Sequence, residues 1–163
     1  MACRRCSLSK ITKIISGGQT GADRAALDWA IDHNFEHGGY VPRGRWAEDG
    51  RISDKYANLI EIESDDLAAR TEQNVLAADA TLIVALGKLT GGSLFTWRVA
   101  GKHRRPVLIA ELYRFSQDNA ADKTREWLKI AGASVLNVAG PRASKEPAVY
   151  RDTYDLLDLI FRT

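Results

Sequence analysis

Residues 80–87, ATLIVALG, carry the strongest buried-strand signal in the chain. A strand that is apolar at consecutive positions needs cover on both faces, which is the situation in a parallel sheet packed between two layers of helices. Other short apolar runs fall at 11–16 (ITKIIS), 59–64 (LIEIES), 105–112 (RPVLIAEL) and 134–140 (SVLNVAG), and GGYVP at 38–42 reads as a turn entering a short strand that stops at Pro42. Helical patterns alternate with them at 23–34, 64–79, 93–103, 119–132 and 146–161. Such alternation predicts an α/β fold with a mostly parallel sheet and helices on both faces. In sheets of this kind ligands bind beyond the carboxyl ends of the strands, near a switch in strand order.

Local signals sharpen the element ends. Ala26, Leu27, Ala30 and Ile31 share one face of the first helix, Ser64 or Asp65 caps the second, and Gly132 closes the fourth. Pro147 suits the first turn of the last helix. His33 and His37 fall at and just past the end of the first helix, where a positive charge is favoured. Residues 43–56 are polar and irregular and form the longest expected loop. Within it Glu48 and Asp49 read as a solvated turn, with a lid or an oligomer contact as the other readings, and Trp46 is the tryptophan nearest the expected pocket.

A length of 163 residues points to a core large enough to fold alone: a loosely ordered tail over 1–10, then one ligand-binding domain over 11–163. The net charge of +2 offers no bulk electrostatic case for nucleic acid. No apolar run approaches the roughly 18 residues of a membrane span, and MACRRCSLSK has no apolar segment of the secretory kind, so a cytoplasmic home is expected. Cys3 and Cys6 form a lone C-x-x-C; a structural zinc site wants four ligands, and His33, His37 and His103 are distant in sequence.

Three strand-to-helix corners are rich in glycine, hydroxyl and amide groups: SGGQTGADR (16–24), GKLTGGS (87–93) and NVAGPRAS (137–144). A parallel sheet projects all three from one edge, each ahead of a helix whose first N–H groups lack partners, an arrangement that attracts phosphate. Glycine permits close backbone approach, Thr20, Thr90, Ser93 and Ser144 offer hydroxyls, and Arg24, Arg70 and Arg142 offer counter-charge. Asp23 serves equally well as a helix cap or as a ligand contact.

The stretches GGQTGADRAALDWA, VPRGRWAEDGRIS, RTEQNVLAADATLIVALGKLTGGSLFTWRVA, RPVLIAEL and LNVAGPRASKEP closely resemble the molybdenum-cofactor carrier family, the YpsA-related branch of the SLOG superfamily. The likeness runs from about residue 11 to the C-terminus and implies a Rossmann-like, doubly wound fold. It implies a cofactor-binding set of Gly17, Gly18, Gln19, Thr20, Gly21, Ala22, Asp23 and Arg24 in the first loop. Arg70 and Asn74, then Thr90, Gly91, Gly92, Ser93 and Thr96, and finally Asn137, Gly140, Arg142 and Ser144 complete it. The implied ligand is the molybdenum cofactor (molybdopterin), an anionic phosphate-bearing pterin. The implied protein is a non-catalytic carrier in a dimer or tetramer, with molybdoenzymes as recipients.

A related SLOG group, the cytokinin-activating phosphoribohydrolases, uses P-G-G-x-G-T-x-x-E. TGGSLFTWR aligns Gly91 and Gly92 with its glycines and places Thr96 near its threonine, but no glutamate follows. Acid–base help at a leaving base is therefore unsupported from that loop. No G-x-S-x-G elbow or Cys–His arrangement is present either. A nucleotide-binding protein acting as a nucleoside-phosphate hydrolase, or as a nucleotide sensor, stands as the alternative.

Overall fold

The computed structural model describes residues 10–162. Of the tail expected over 1–10, residues 1–9, with Cys3 and Cys6, lie outside the described residues. Six strands form one all-parallel sheet: β1 (Lys13–Ile15), β2 (Glu36–Val41), β5 (Leu59–Glu61), β6 (Ala80–Ala85), β7 (Val107–Glu111) and β8 (Val135–Ala139). Their spatial order is β5-β2-β1-β8-β6-β7, so the last strand in sequence lies beside the first, in the middle of the sheet. Register pairs Ile15 with Asn137, and Asn137 in turn with Thr81. β6 is buried at every position, as its composition requires.

Five helices cover the two faces. α1 (Ala22–Asp32), α4 (Gln117–Ala131) and α5 (Val149–Phe161) pack together on one side, and α2 (Leu67–Ala77) and α3 (Gly91–Lys102) pack together on the other. The main core joins Ala22, Ala26, Trp29, Leu82, Val84, Leu128, Leu136 and Leu156. The result is the doubly wound, Rossmann-like architecture expected from the alternating pattern.

Several boundaries move for physical reasons. β2 begins at Glu36, so Gly38 and Gly39 are strand residues and not a turn. Gly39 has φ 129°, and a Cβ there would sit 2.0 Å from the Ser16 carbonyl oxygen, so glycine lets β1 and β2 close on each other. His37 consequently lies in β2 beside Lys13, where burial first and then that lysine push its imidazole below the usual range. It is not a helix-end charge. His33 does sit at the end of α1, stacked on Trp29 and 3.2 Å from Asp158. Asp66, not Ser64 or Asp65, caps α2 by accepting from the Ala68 N–H at 2.9 Å. Pro147 precedes α5 and is not within its first turn. Gly132 closes α4 in the left-handed conformation, as expected.

The loop expected at 43–56 contains a hairpin, β3 (Trp46–Ala47) and β4 (Gly50–Arg51), turning on Glu48 and Asp49. Ala47 and Ile52 bury against Leu27, Val41, Tyr56 and Leu59 and hold it against the sheet edge.

Candidate functional site

The carboxyl ends of β1, β8 and β6 are adjacent in the sheet, so the three glycine loops meet around one cavity of about 770 Å³, closed on its far side by the start of α2. Of the residues expected there, Gly17, Gln19, Asp23, Arg70, Asn74, Thr90, Gly91, Gly92, Ser93, Thr96, Asn137, Gly140, Arg142 and Ser144 line it. Gly18, Thr20, Gly21, Ala22 and Arg24 do not. Pattern reading passed over Lys88 and Lys145 at the opening, and the apolar wall of Leu67, Leu86, Leu89 and Phe95. Lysine and leucine carry no motif of their own; only their place beside the glycines marks them.

One end of the cavity is a buried polar cluster. Asp23 Oδ2 accepts from the Gln19 N–H at 3.3 Å and pairs with Arg70 Nη1 at 3.4 Å. Burial holds the Asp23 carboxyl above its ordinary range against the pull of Arg70, and burial lowers Arg70 against the pull of Asp23. Arg70 lies directly over Gly17: a Cβ on Gly17 would fall 1.6 Å from Nη1. The absent side chain of Gly17 is the space the guanidinium occupies. Gln19 Oε1 and Arg70 Nε are buried without a hydrogen-bond partner among the described residues.

The first-loop residues that miss the cavity do structural work. Gly18, at φ 71°, faces Ile52 and Val41 in the second apolar cluster, so a side chain there would strain packing and not meet a ligand. Arg24 donates to the Gly18 carbonyl at 3.2 and 3.1 Å and grips Asp49 through both terminal nitrogens at 2.9 and 3.2 Å. Glu48 accepts from the Thr20 hydroxyl, the Ser144 N–H (3.1 Å) and the Ser144 hydroxyl (2.5 Å). The hairpin turn is exposed, as expected, and its two carboxylates also brace it across the first and third loops. Asp49-Gly50 is a hairpin signal, but strands of two residues leave almost no alternation for it to punctuate.

Other lining side chains are committed within the fold. Asn74 accepts from the Tyr40 N–H at 2.8 Å and donates to the Tyr40 carbonyl at 2.9 Å, tying α2 to β2. Asn137 donates to Thr81 at 3.3 Å, and Thr96 donates to the Gly92 carbonyl at 2.9 Å. Lys145 donates to the Thr90 hydroxyl. Among the described residues nothing lies within 4 Å of a Cβ built on Gly92, which opens onto free space.

The Glu48 brace makes a pH prediction. Hydrogen bonds from the Ser144 and then the Thr20 hydroxyl hold the Glu48 carboxyl below its ordinary value. A depressed carboxyl stabilises the fold fully above its unfolded pKa of about 4.3, and that contribution disappears as pH falls through the lower folded value. Trp46, whose carbonyl accepts from Gln19 Nε2 at 3.3 Å, reports the brace. The part of the intrinsic fluorescence lost in Trp46→Phe should change only below about pH 4.3. In Glu48→Gln that acid transition should vanish. A change centred near neutrality would assign the coupling to another group.

The profile of the circularly permutated YpsA SLOG family matches residues 14–161. The chain belongs to that family. No curated protein matches the chain. Among solved structures, the 1.45 Å crystal structure of a protein from Syntrophus aciditrophicus SB, provisionally named a molybdenum carrier protein, is similar at 49% identity. That similarity covers 94% of this chain and 96% of the other, with a TM-score of 0.92.

Proposed function

We propose that this YpsA-type SLOG protein binds and carries the molybdenum cofactor, or a closely related phosphate-bearing pterin, in the cavity between the three glycine loops. The carrying observation is the cavity's division of labour. Leu67, Leu89 and Phe95 offer an apolar wall for a flat ring, while Arg142, Lys88 and Lys145 offer positive charge beside the unpaired first N–H groups of α3. The provisional name of the 49% identical relative points the same way. Among the described residues no group of three or more His, Cys, Asp and Glu side chains is placed to hold a metal ion, so a carried metal would arrive on its own pterin ligand.

We read the protein as a dimer or tetramer, passing its ligand to molybdoenzymes; the exposed Trp97 on α3 suits a contact face. Among the described residues no helix is long and apolar enough to cross a membrane. Native mass spectrometry of anaerobically purified protein tests ligand and oligomer together. The expected result is an oligomer that ejects a pterin phosphate bearing molybdenum. An ejected nucleotide would replace the carrier reading with nucleotide sensing. Gly92→Val should leave the melting temperature nearly unchanged and abolish binding, because its Cβ meets no atom of the described residues within 4 Å and the side chain enters the open cavity. Full retention of binding in Gly92→Val would place the ligand elsewhere.

Hydrolysis is a second reading with one observation in its favour: Asp23 puts a carboxyl of raised pKa into the cavity from the first loop, although the second loop lacks one. Its test is release of free base from a nucleoside monophosphate, which the carrier reading expects to be absent.

A further inference from the structure

We propose that the buried end of the cavity, built from Gln19, Asp23 and Arg70, reads the lactam–amine edge of a 2-amino-4-oxo-pyrimidine ring, the edge that pterins and guanine share. This rests on the reading of the cavity as the ligand site. Gln19 and Asp23 are 3% and 5% exposed, and the Arg70 side chain is 12% exposed. A polar atom buried this deeply ordinarily finds a partner, yet Gln19 Oε1 and Arg70 Nε have none among the described residues. Asp23 uses one oxygen, Oδ2, for both Gln19 N–H and Arg70. Oδ1 receives no hydrogen bond from the described residues.

These vacancies have a definite sense. Gln19 Oε1 and Asp23 Oδ1 accept, and Arg70 Nε donates. Gln19 meets Asp23 through its backbone N–H and Arg70 meets it through its guanidinium, and all three residues line the same cavity. The complement is a ring edge with two donors and one acceptor. A 2-amino-4-oxo-pyrimidine presents an exocyclic amine, a ring N–H and a carbonyl oxygen in a row. The amine and the N–H face the two acceptors, and the carbonyl faces Arg70. Adenine has one amine and no ring N–H on the corresponding edge, so one buried acceptor would stay unpaired. Hypoxanthine keeps the lactam and lacks the amine. Gln19 is held in place through Nε2 to the Trp46 carbonyl, so its Oε1 is oriented before any ligand arrives.

The test is calorimetric titration of ligand-free protein with neopterin monophosphate, GMP, IMP, AMP and ribose 5-phosphate. The expected result is that neopterin monophosphate, GMP or both bind at least about tenfold more tightly than IMP and AMP, the loss an unpaired buried polar group brings. Which of the two binds better identifies the source of the edge. Gln19→Leu should shrink that ratio while leaving ribose 5-phosphate affinity unchanged. Asp23→Asn should do the same, and Gln19→Leu alone suffices where Asp23→Asn fails to fold. Equal affinity for every phosphate-bearing ring would overturn edge recognition and leave the phosphate site standing. Binding of none, ribose 5-phosphate included, would remove the cavity as the ligand site and this inference with it.

Discussion

Gly21→Ala should cost about 2 kcal/mol or more of folding stability, read as a lowered urea midpoint at unchanged slope. Gly21 precedes α1 with φ 81° and ψ −126°, a conformation that side-chain-bearing residues rarely adopt. A Cβ there would sit 2.4 Å from the Pro141 carbonyl oxygen, 2.8 Å from Val149 and 2.9 Å from the Ala143 N–H. Two of those three atoms are backbone of the loop after β8, and they cannot swing aside as a side chain would. The same Pro141 carbonyl accepts the Ala22 N–H at 3.3 Å, so the clash falls where the first and third loops are joined. Gly92→Ala is the matched control. It adds the same methyl to open space in the first turn of α3 and should be neutral or slightly stabilising, since alanine outranks glycine in helices by up to about 1 kcal/mol. Equal midpoints for the two variants would mean that the third loop yields at no cost.

That junction shows what the sequence could and could not disclose. The glycine clusters were legible as loops on one edge, because parallel topology puts every strand's carboxyl end on the same side. Adjacency was not legible: that β8 inserts between β1 and β6 depends on pairing between distant segments, and no local pattern encodes it. Nor did the sequence divide the glycines by task. Gly17, Gly18 and Gly21 look alike in GGQTG, yet one makes room for Arg70, one faces Ile52 and one abuts Pro141. Arg24 and Arg70 each read as spare positive charge; the fold spends Arg24 on Asp49 and the Gly18 carbonyl and buries Arg70 in the cavity. Period and composition report the environment of an element, whereas most of these assignments are made by residues 25 to 120 positions away.

Gly17→Ala should preserve the fold and cripple the cavity. Its Cβ would meet the far end of the Arg70 side chain, with Nη1 at 1.6 Å and Cζ at 2.5 Å, and no backbone within that range. The flexible arginine gives way, so the cost in stability stays small while the guanidinium leaves Asp23. A charge-assisted bond is worth about 1.5–3 kcal/mol, so ligand affinity should fall by roughly 10- to 100-fold. Arg70→Met removes the same guanidinium without touching Gly17 and should lose affinity by a similar factor. If Gly17 acts through Arg70 alone, the double variant Gly17→Ala/Arg70→Met should bind no worse than either single one, a coupling as large as the single effects themselves. Additive losses would show instead that Gly17 meets the ligand with its own backbone, as glycines in phosphate loops do. The cycle therefore separates two functions of one missing side chain: admitting a ligand, and admitting the arginine that holds it.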